Sequence, residues 1–226
     1  MTAPVARVVV VTLDAHLAGA VRRARASLGR DCPRLDLRVH VAADWGAGDP
    51  GAGEASPALA RCRADLAAAD LVVVTQLFVE DHVAAILPTL VAHRDRYDAI
   101  AVAICAPELM RLTRLGRFAM GGDQAPGPWS PATVLRRLLG GGQGRERHAS
   151  GEAQMRALRR VPQLLRFVPG TAQDVRAYYL LLQYWLAGSD ENVANMVRLL
   201  VSRYGADGRA AVVGARRVPE PVAYPE

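Results

Sequence analysis

The sequence predicts an α/β protein: a parallel, doubly wound sheet of flavodoxin-like or Rossmann-like order, followed by a helical segment. Three observations predict it. Continuous runs of β-branched and apolar residues recur at 7–13 (RVVVVTL), 71–76 (LVVVTQ) and 98–104 (DAIAVAI), the pattern of strands buried on both faces. Stretches of helical period separate these runs, so right-handed crossovers between parallel strands are the expected connection. From residue 152 to residue 204 the signal is helical.

In chain order, RVVVVTL is the first strand, and Asp14 after it is placed to cap a helix from Ala15 to about Leu28. That helix sets Leu17, Val21 and Leu28 on one side and Arg22, Arg23 and Arg25 on the other. The alternating LDLRVHV from Leu35 to Val41 is a second strand. A Gly/Pro/Ala loop, DWGAGDPGAGEASP, follows and is expected to be mobile, before a helix over 57–69 and the third strand. A helix over 79–95 faces inward through Val79, Val83, Ile86, Leu87, Leu90 and Val91, with Pro88 expected to kink it. After the fourth strand, Pro107 opens a helix expected to reach about Leu115, so that 1–115 forms the sheet domain.

Residues 116–151 break the composition. GRFAMGGDQAPGPWSP, a short helix over 131–139 and GGGQGRERHASG read as a flexible connection. The helical part, 152–206, contains the longest structural signal in the chain. Thr171 with Asp174 forms a short variant of the capping box, and Val175 to Leu186 is apolar almost all round, the mark of a helix covered by neighbours. Gly188 is a left-handed stop. Ser189, Asp190 and Glu191 open an amphipathic helix through Val193, Met196, Val197, Leu200, Val201 and Tyr204, and Gly205 ends it. Residues 207–226 form an extended tail that reads as leading into a longer polypeptide.

Fifty-one per cent hydrophobic residues suffice for a sizeable core. Net charge is +6, and every basic residue is arginine, which with the abundance of Ala, Gly and Val points to a GC-rich genome. The arginines are scattered over helix faces, and three Phe and three Trp give little stacking surface, which argues against nucleic acid. Anionic partners, or at most peripheral contact with acidic lipid, remain compatible with the charge. Cys32, Cys62 and Cys105 are odd in number and widely spaced, as expected of reduced thiols in a cytoplasmic protein. No signal-peptide layout opens the chain, and no apolar run reaches the roughly 20 residues that cross a bilayer.

Neither GxGxxG nor GxxxxGK[ST] follows the first strand, and Gly140 to Gly144 follow a helix, so neither a dinucleotide nor ATP is expected on this chain. In doubly wound sheets ligands sit beyond the carboxyl ends of the strands, near the reversal of strand order. The residues due there are Asp14 and His16 after strand one, Gln76, Phe78, Glu80 and His82 after strand three, and Cys105 and Glu108 after strand four. Two histidines and three acids could bind a metal or relay protons. The structural alternative is that Asp14 and Glu80 cap helices while His16 and His82 bond locally. Glu80-Asp81-His82 is the best single patch, because it opens a helix with two acids and an imidazole. Arg111 with Arg114, and Arg156 with Arg160, lie at helical-turn spacing, and either pair could hold a ligand carboxylate or be a solvated face. His40, His93 and His148 carry no spacing signal.

Four segments resemble, in order, the amino-terminal part of the large, porphyrin-binding subunit of magnesium chelatase: DLVVVTQLFVEDHVAAILPTL, CAPELMRLTRLGRFAM, QMRALRRVPQLLRF and RFVPGTAQDVRAYYLLLQYWLAGSDENVANMVRLLVSRY. The resemblance covers roughly residues 65 to 226, and the tail PVAYPE is similar to the point where that family continues into a much larger remainder. It implies a large subunit that binds protoporphyrin IX while two smaller AAA+ subunits hydrolyse ATP and drive Mg²⁺ insertion for (bacterio)chlorophyll. Mg²⁺ and ATP would then belong to the complex, with neither on this chain and no complete catalysis from it. For this chain the resemblance implies a porphyrin-contacting or cavity-closing head domain, with Asp14, His16, Gln76, Glu80, His82, Glu108, Arg111 and Arg114 as its candidate substrate-binding residues. The cobaltochelatase large subunit is the related alternative, and a scaffold without porphyrin contact is the alternative of another class.

Overall fold

Alternate residues of the first strand serve two different cores: Ala6, Val8 and Val10 pack to one side of the sheet, Val9 and Val11 to the other. A strand buried on both faces needs a covering layer on each, and the rest of the chain supplies them. The computed structural model describes residues 5–46, 56–121 and 162–214, together with Val218, Pro219 and Pro221. The glycine-rich centre of the first loop, the 131–139 helix, the Gly/Arg segment and Trp129, His148, Arg156 and Arg160 lie outside the described residues.

Strand β1 (Ala6–Thr12) pairs in parallel with β2 (Leu35–Val41) and with β3 (Leu71–Thr75), and β3 pairs in parallel with β4 (Ala99–Ala103). The order β2-β1-β3-β4 is the flavodoxin-like one. One face is covered by α2 (Pro57–Ala68) and α3 (Glu80–His93), with Trp45 and Tyr97 buried among them. Helix α3 is continuous through Pro88. The opposite face is covered by α1 (Ala15–Asp31) and the helical part of the chain.

The predicted helix from Pro107 to Leu115 is not there. Helix α4 spans only Pro107–Met110, and the chain then returns as two short antiparallel strands, β5 (Arg114–Leu115) and β6 (Phe118–Ala119), which complete a six-stranded mixed sheet. Thr113 ends the helix by serving the sheet. Its buried hydroxyl accepts from Val102 N at 3.2 Å and lies 3.2 Å from Val102 O, capping a stretch of β4 that β5 leaves unpaired. Tyr178 donates to the same carbonyl at 3.1 Å. A Thr113→Val substitution strands the Val102 amide in the core, and we expect a loss of about 1–3 kcal/mol in denaturant unfolding.

Helices α5 (Thr171–Ala187) and α6 (Asp190–Tyr204) form the expected hairpin: Gly188 is left-handed at φ 64°, and Ser189 Oγ accepts from Asn192 N at 3.2 Å. The Thr171–Asp174 capping box does not form. Gly170 is the N-cap residue, and the Asp174 carboxylate instead accepts from Arg117 N at 3.0 Å, Tyr204 Oη at 3.1 Å and the Arg203 guanidinium at 3.1 Å. Asp174 thus pins the β5–β6 turn to both helices. Gly116 in that turn is left-handed at φ 56°, and a Cβ there would sit 2.7 Å from Asp174 Oδ2. Gly116→Ala is expected to lower stability by about 1–3 kcal/mol, read as a drop in urea midpoint with an unchanged slope.

Candidate functional site at the carboxyl edge of the sheet

Helix α1 leaves β1 over one face and α3 leaves β3 over the other, so strand order reverses between β1 and β3. A small polar cluster marks this point. Thr12 Oγ1 donates to Gln76 Oε1 at 3.2 Å and accepts from Asp14 N at 3.0 Å, and the Thr75 hydroxyl donates to Thr12 at 3.3 Å. Both threonines are buried. Asp14 takes the structural role anticipated for it: its carboxylate accepts from His16 N at 2.8 Å and Leu17 N at 3.1 Å, capping α1. The His16 side chain is exposed.

The loops after β3 and β4 are laced together. Gln76 N donates to Ala103 O at 3.4 Å, Leu77 N to Cys105 Sγ at 3.4 Å, and Ala106 N to Leu77 O at 2.8 Å. Gln76 and Ile104, the residues just past each strand, are both left-handed, at φ 59° and 54°. Non-glycine residues hold that conformation only where the surroundings over-determine it. The outcome is outward projection of Phe78, Val79 and Ile104, which are 58%, 46% and 37% exposed. Burial pushes the Cys105 thiol up to about 11, so it is protonated at neutral pH and is not a nucleophile.

Acids follow the apolar residues in sequence. Glu80 and Asp81 stand exposed in the first turn of α3, and Glu108 in that of α4. Glu80 does not cap α3: Val79 is the N-cap residue, without a side-chain bond, and the acids act through the helix dipole. Nor does His82 bond locally. It is half-buried, its Nδ1 has no hydrogen-bond partner, and its ring stands edge-on to Trp45 with centroids 5.6 Å apart. Among the described residues no group of three or more His, Cys, Asp or Glu is placed to hold a metal.

The arginine pair separates. Arg111 is exposed at the end of α4, while Arg114, on β5, donates to Tyr97 O and, at 3.3 Å, to Arg94 O, beside the start of β4 and away from the carboxyl edge. The two do not share a helix, because the chain turns into β5 between them.

Sequence reading missed His40, whose partner lies 25 residues away on α2. Its Nε2 is 2.9 Å from Asp65 Oδ2, and Arg38 bonds the other Asp65 oxygen and Asp36. These charges flank a cleft of about 50 Å³ between β1, β2 and α2. Burial lowers the His40 pKa below the usual 6.5, with Asp65 opposing and Arg38 and Arg61 reinforcing the shift. The native state therefore prefers neutral His40. Stability is greatest above the unfolded value of 6.5 and is lost as pH falls through the lower folded value. Urea midpoints measured across this range should fall on acidification, with a shallower fall in His40→Gln.

Over 219 residues the chain is 43% identical to the magnesium-chelatase H subunit of Cereibacter sphaeroides, covering 97% of this chain and 17% of that protein. It is 40% identical over 221 residues to the H subunit of Rhodobacter capsulatus, with the same coverages. Against the chloroplastic magnesium-chelatase ChlH subunit of indica rice it is 32% identical over 143 residues, covering 62% of this chain and 10% of the rice protein. A family model described as "Domain of unknown function (DUF3479)" matches residues 7–179, which takes in the described sheet except Ala6, the carboxyl-edge loops and the first half of α5. The chain belongs to that family.

Proposed function

We propose that this chain works as the amino-terminal domain of a magnesium-chelatase large subunit, the polypeptide that holds protoporphyrin IX while AAA+ partners hydrolyse ATP and Mg²⁺ is inserted. The observation that carries this reading is the 43% identity to one magnesium-chelatase polypeptide over 97% of the chain. The chain spans about 17% of the length of that relative, so metal insertion and its ATP requirement belong to the larger assembly. The magnesium branch is favoured over cobaltochelatase because these relatives carry the magnesium-chelatase name. In a chimaeric Cereibacter sphaeroides large subunit carrying this chain in place of its aligned stretch, ATP-dependent Mg²⁺ insertion into porphyrin should persist with the partner subunits. A folded chimaera without that activity overturns the reading.

Within that role, the acid rim favours a scaffold without porphyrin contact of its own. Glu80, Asp81 and Glu108 stand exposed in the first turns of α3 and α4 and repel propionates, against which Arg111 at the end of α4 offers an exposed cation. Trp45, in ring contact with His82, is a reporter at this edge. Titrating the isolated chain with a soluble porphyrin should quench its tryptophan fluorescence no more than an unrelated basic protein is quenched. Saturable micromolar quenching that weakens in His82→Ala would instead place part of the porphyrin site here.

A further inference from the structure

We propose that the apolar platform of Phe78, Val79 and Ile104 is the face by which this domain docks on the rest of the large subunit, against an apolar segment flanked by arginine or lysine. The inference rests on the reading of the chain as a large-subunit domain and adds the docking surface to it. The three exposed side chains stand on two neighbouring loops, which are joined by the bonds from Gln76, Leu77 and Ala106. The turns that carry the platform are fixed by left-handed residues at Gln76 and Ile104. The bonds between the two loops fix the turns that leave Phe78 and Ile104 exposed to water, and a preorganised apolar face is what an interface uses.

Two observations select the occupant. The relatives align with nearly all of this chain yet are several times longer, so in them this fold is tethered to a large remaining polypeptide at high effective concentration. The rim of Glu80, Asp81 and Glu108 is acidic, which calls for a basic surround on the partner. A second copy meeting this face about a two-fold axis would set the same acids against each other.

The test places a photoreactive benzoyl-phenylalanine at Phe78 in the chimaeric large subunit, with Val91, exposed on α3, as the control position. Irradiation should cross-link position 78 to a peptide from the rest of the same polypeptide that carries Arg or Lys, several-fold more than position 91. High salt, Glu80→Arg or Ile104→Glu should each reduce that product several-fold. Cross-links from 78 only to a second copy or to an ATPase subunit, or no excess over position 91, overturn the proposal. An active chimaera without the cross-link sinks the docking surface alone, whereas a folded but inactive one counts against the large-subunit reading.

Discussion

Replacing Trp185 by alanine should lower the unfolding free energy by about 3–5 kcal/mol, the range for deleting a fully buried aromatic from a core that cannot collapse around the void. Trp185 is 1% exposed, in the last turn of α5, within the cluster that joins α1, α5 and α6 to the sheet. Its indole nitrogen is buried without a hydrogen-bond partner. Trp185→Phe keeps most of the ring volume and removes that orphaned donor, so it should cost less than about 1.5 kcal/mol. Urea unfolding of both variants separates packing from polarity. Equal losses would mean that the indole nitrogen is satisfied in solution and that volume is not the controlling term.

Asp98→Ala carries the second large effect, about 3 kcal/mol, for a different reason. Asp98 stands just before β4 with its side chain 7% exposed, and it accepts from Arg209 at 2.7 Å and 2.9 Å and from Ala206 N at 2.9 Å. Arg209 also lies 3.7 Å from Asp70, whose carboxylate accepts from Arg7 N at 2.8 Å. This bidentate pair fastens the chain after α6 to the amino edge of the sheet. Removing the carboxylate leaves a guanidinium that is 18% exposed with only longer contacts, to Asp70 and to the exposed Asp207, and it unties the Ala206 amide. Asp98→Asn keeps an acceptor for one of these donors and should lose about half as much. Hydrogen exchange should show faster amide exchange in the 206–213 segment of Asp98→Ala. Protection unchanged there would mean that the pair does not hold the segment.

Periodicity and caps read correctly wherever the determining contacts are local. The β-branched runs became β1, β3 and β4 because a strand buried on both faces can tolerate almost nothing else. Asp14, Ser189 and Gly188 act where they were expected, since a cap bonds within a few residues of itself. The same local logic failed at Thr171 and at 111–115. Asp174 was drawn to Arg117, Arg203 and Tyr204, and Thr113 to Val102, all partners distant in sequence.

The edge where a ligand or partner would sit was legible from strand order, and so were the residues beside it. Which of those residues act together was not. Their directions depend on the left-handed turns at Gln76 and Ile104 and on the return of the chain through β5, which sends Arg114 toward the other end of the sheet. By itself the sequence determined the α/β class, the flavodoxin-like strand runs and the two-helix hairpin, because each follows from side-chain periodicity and caps. Only the tertiary structure decided that His82 sits edge-on to Trp45 and that Phe78, Val79 and Ile104 stand exposed at this edge, because hydrogen bonds between loops 28 residues apart set those turns.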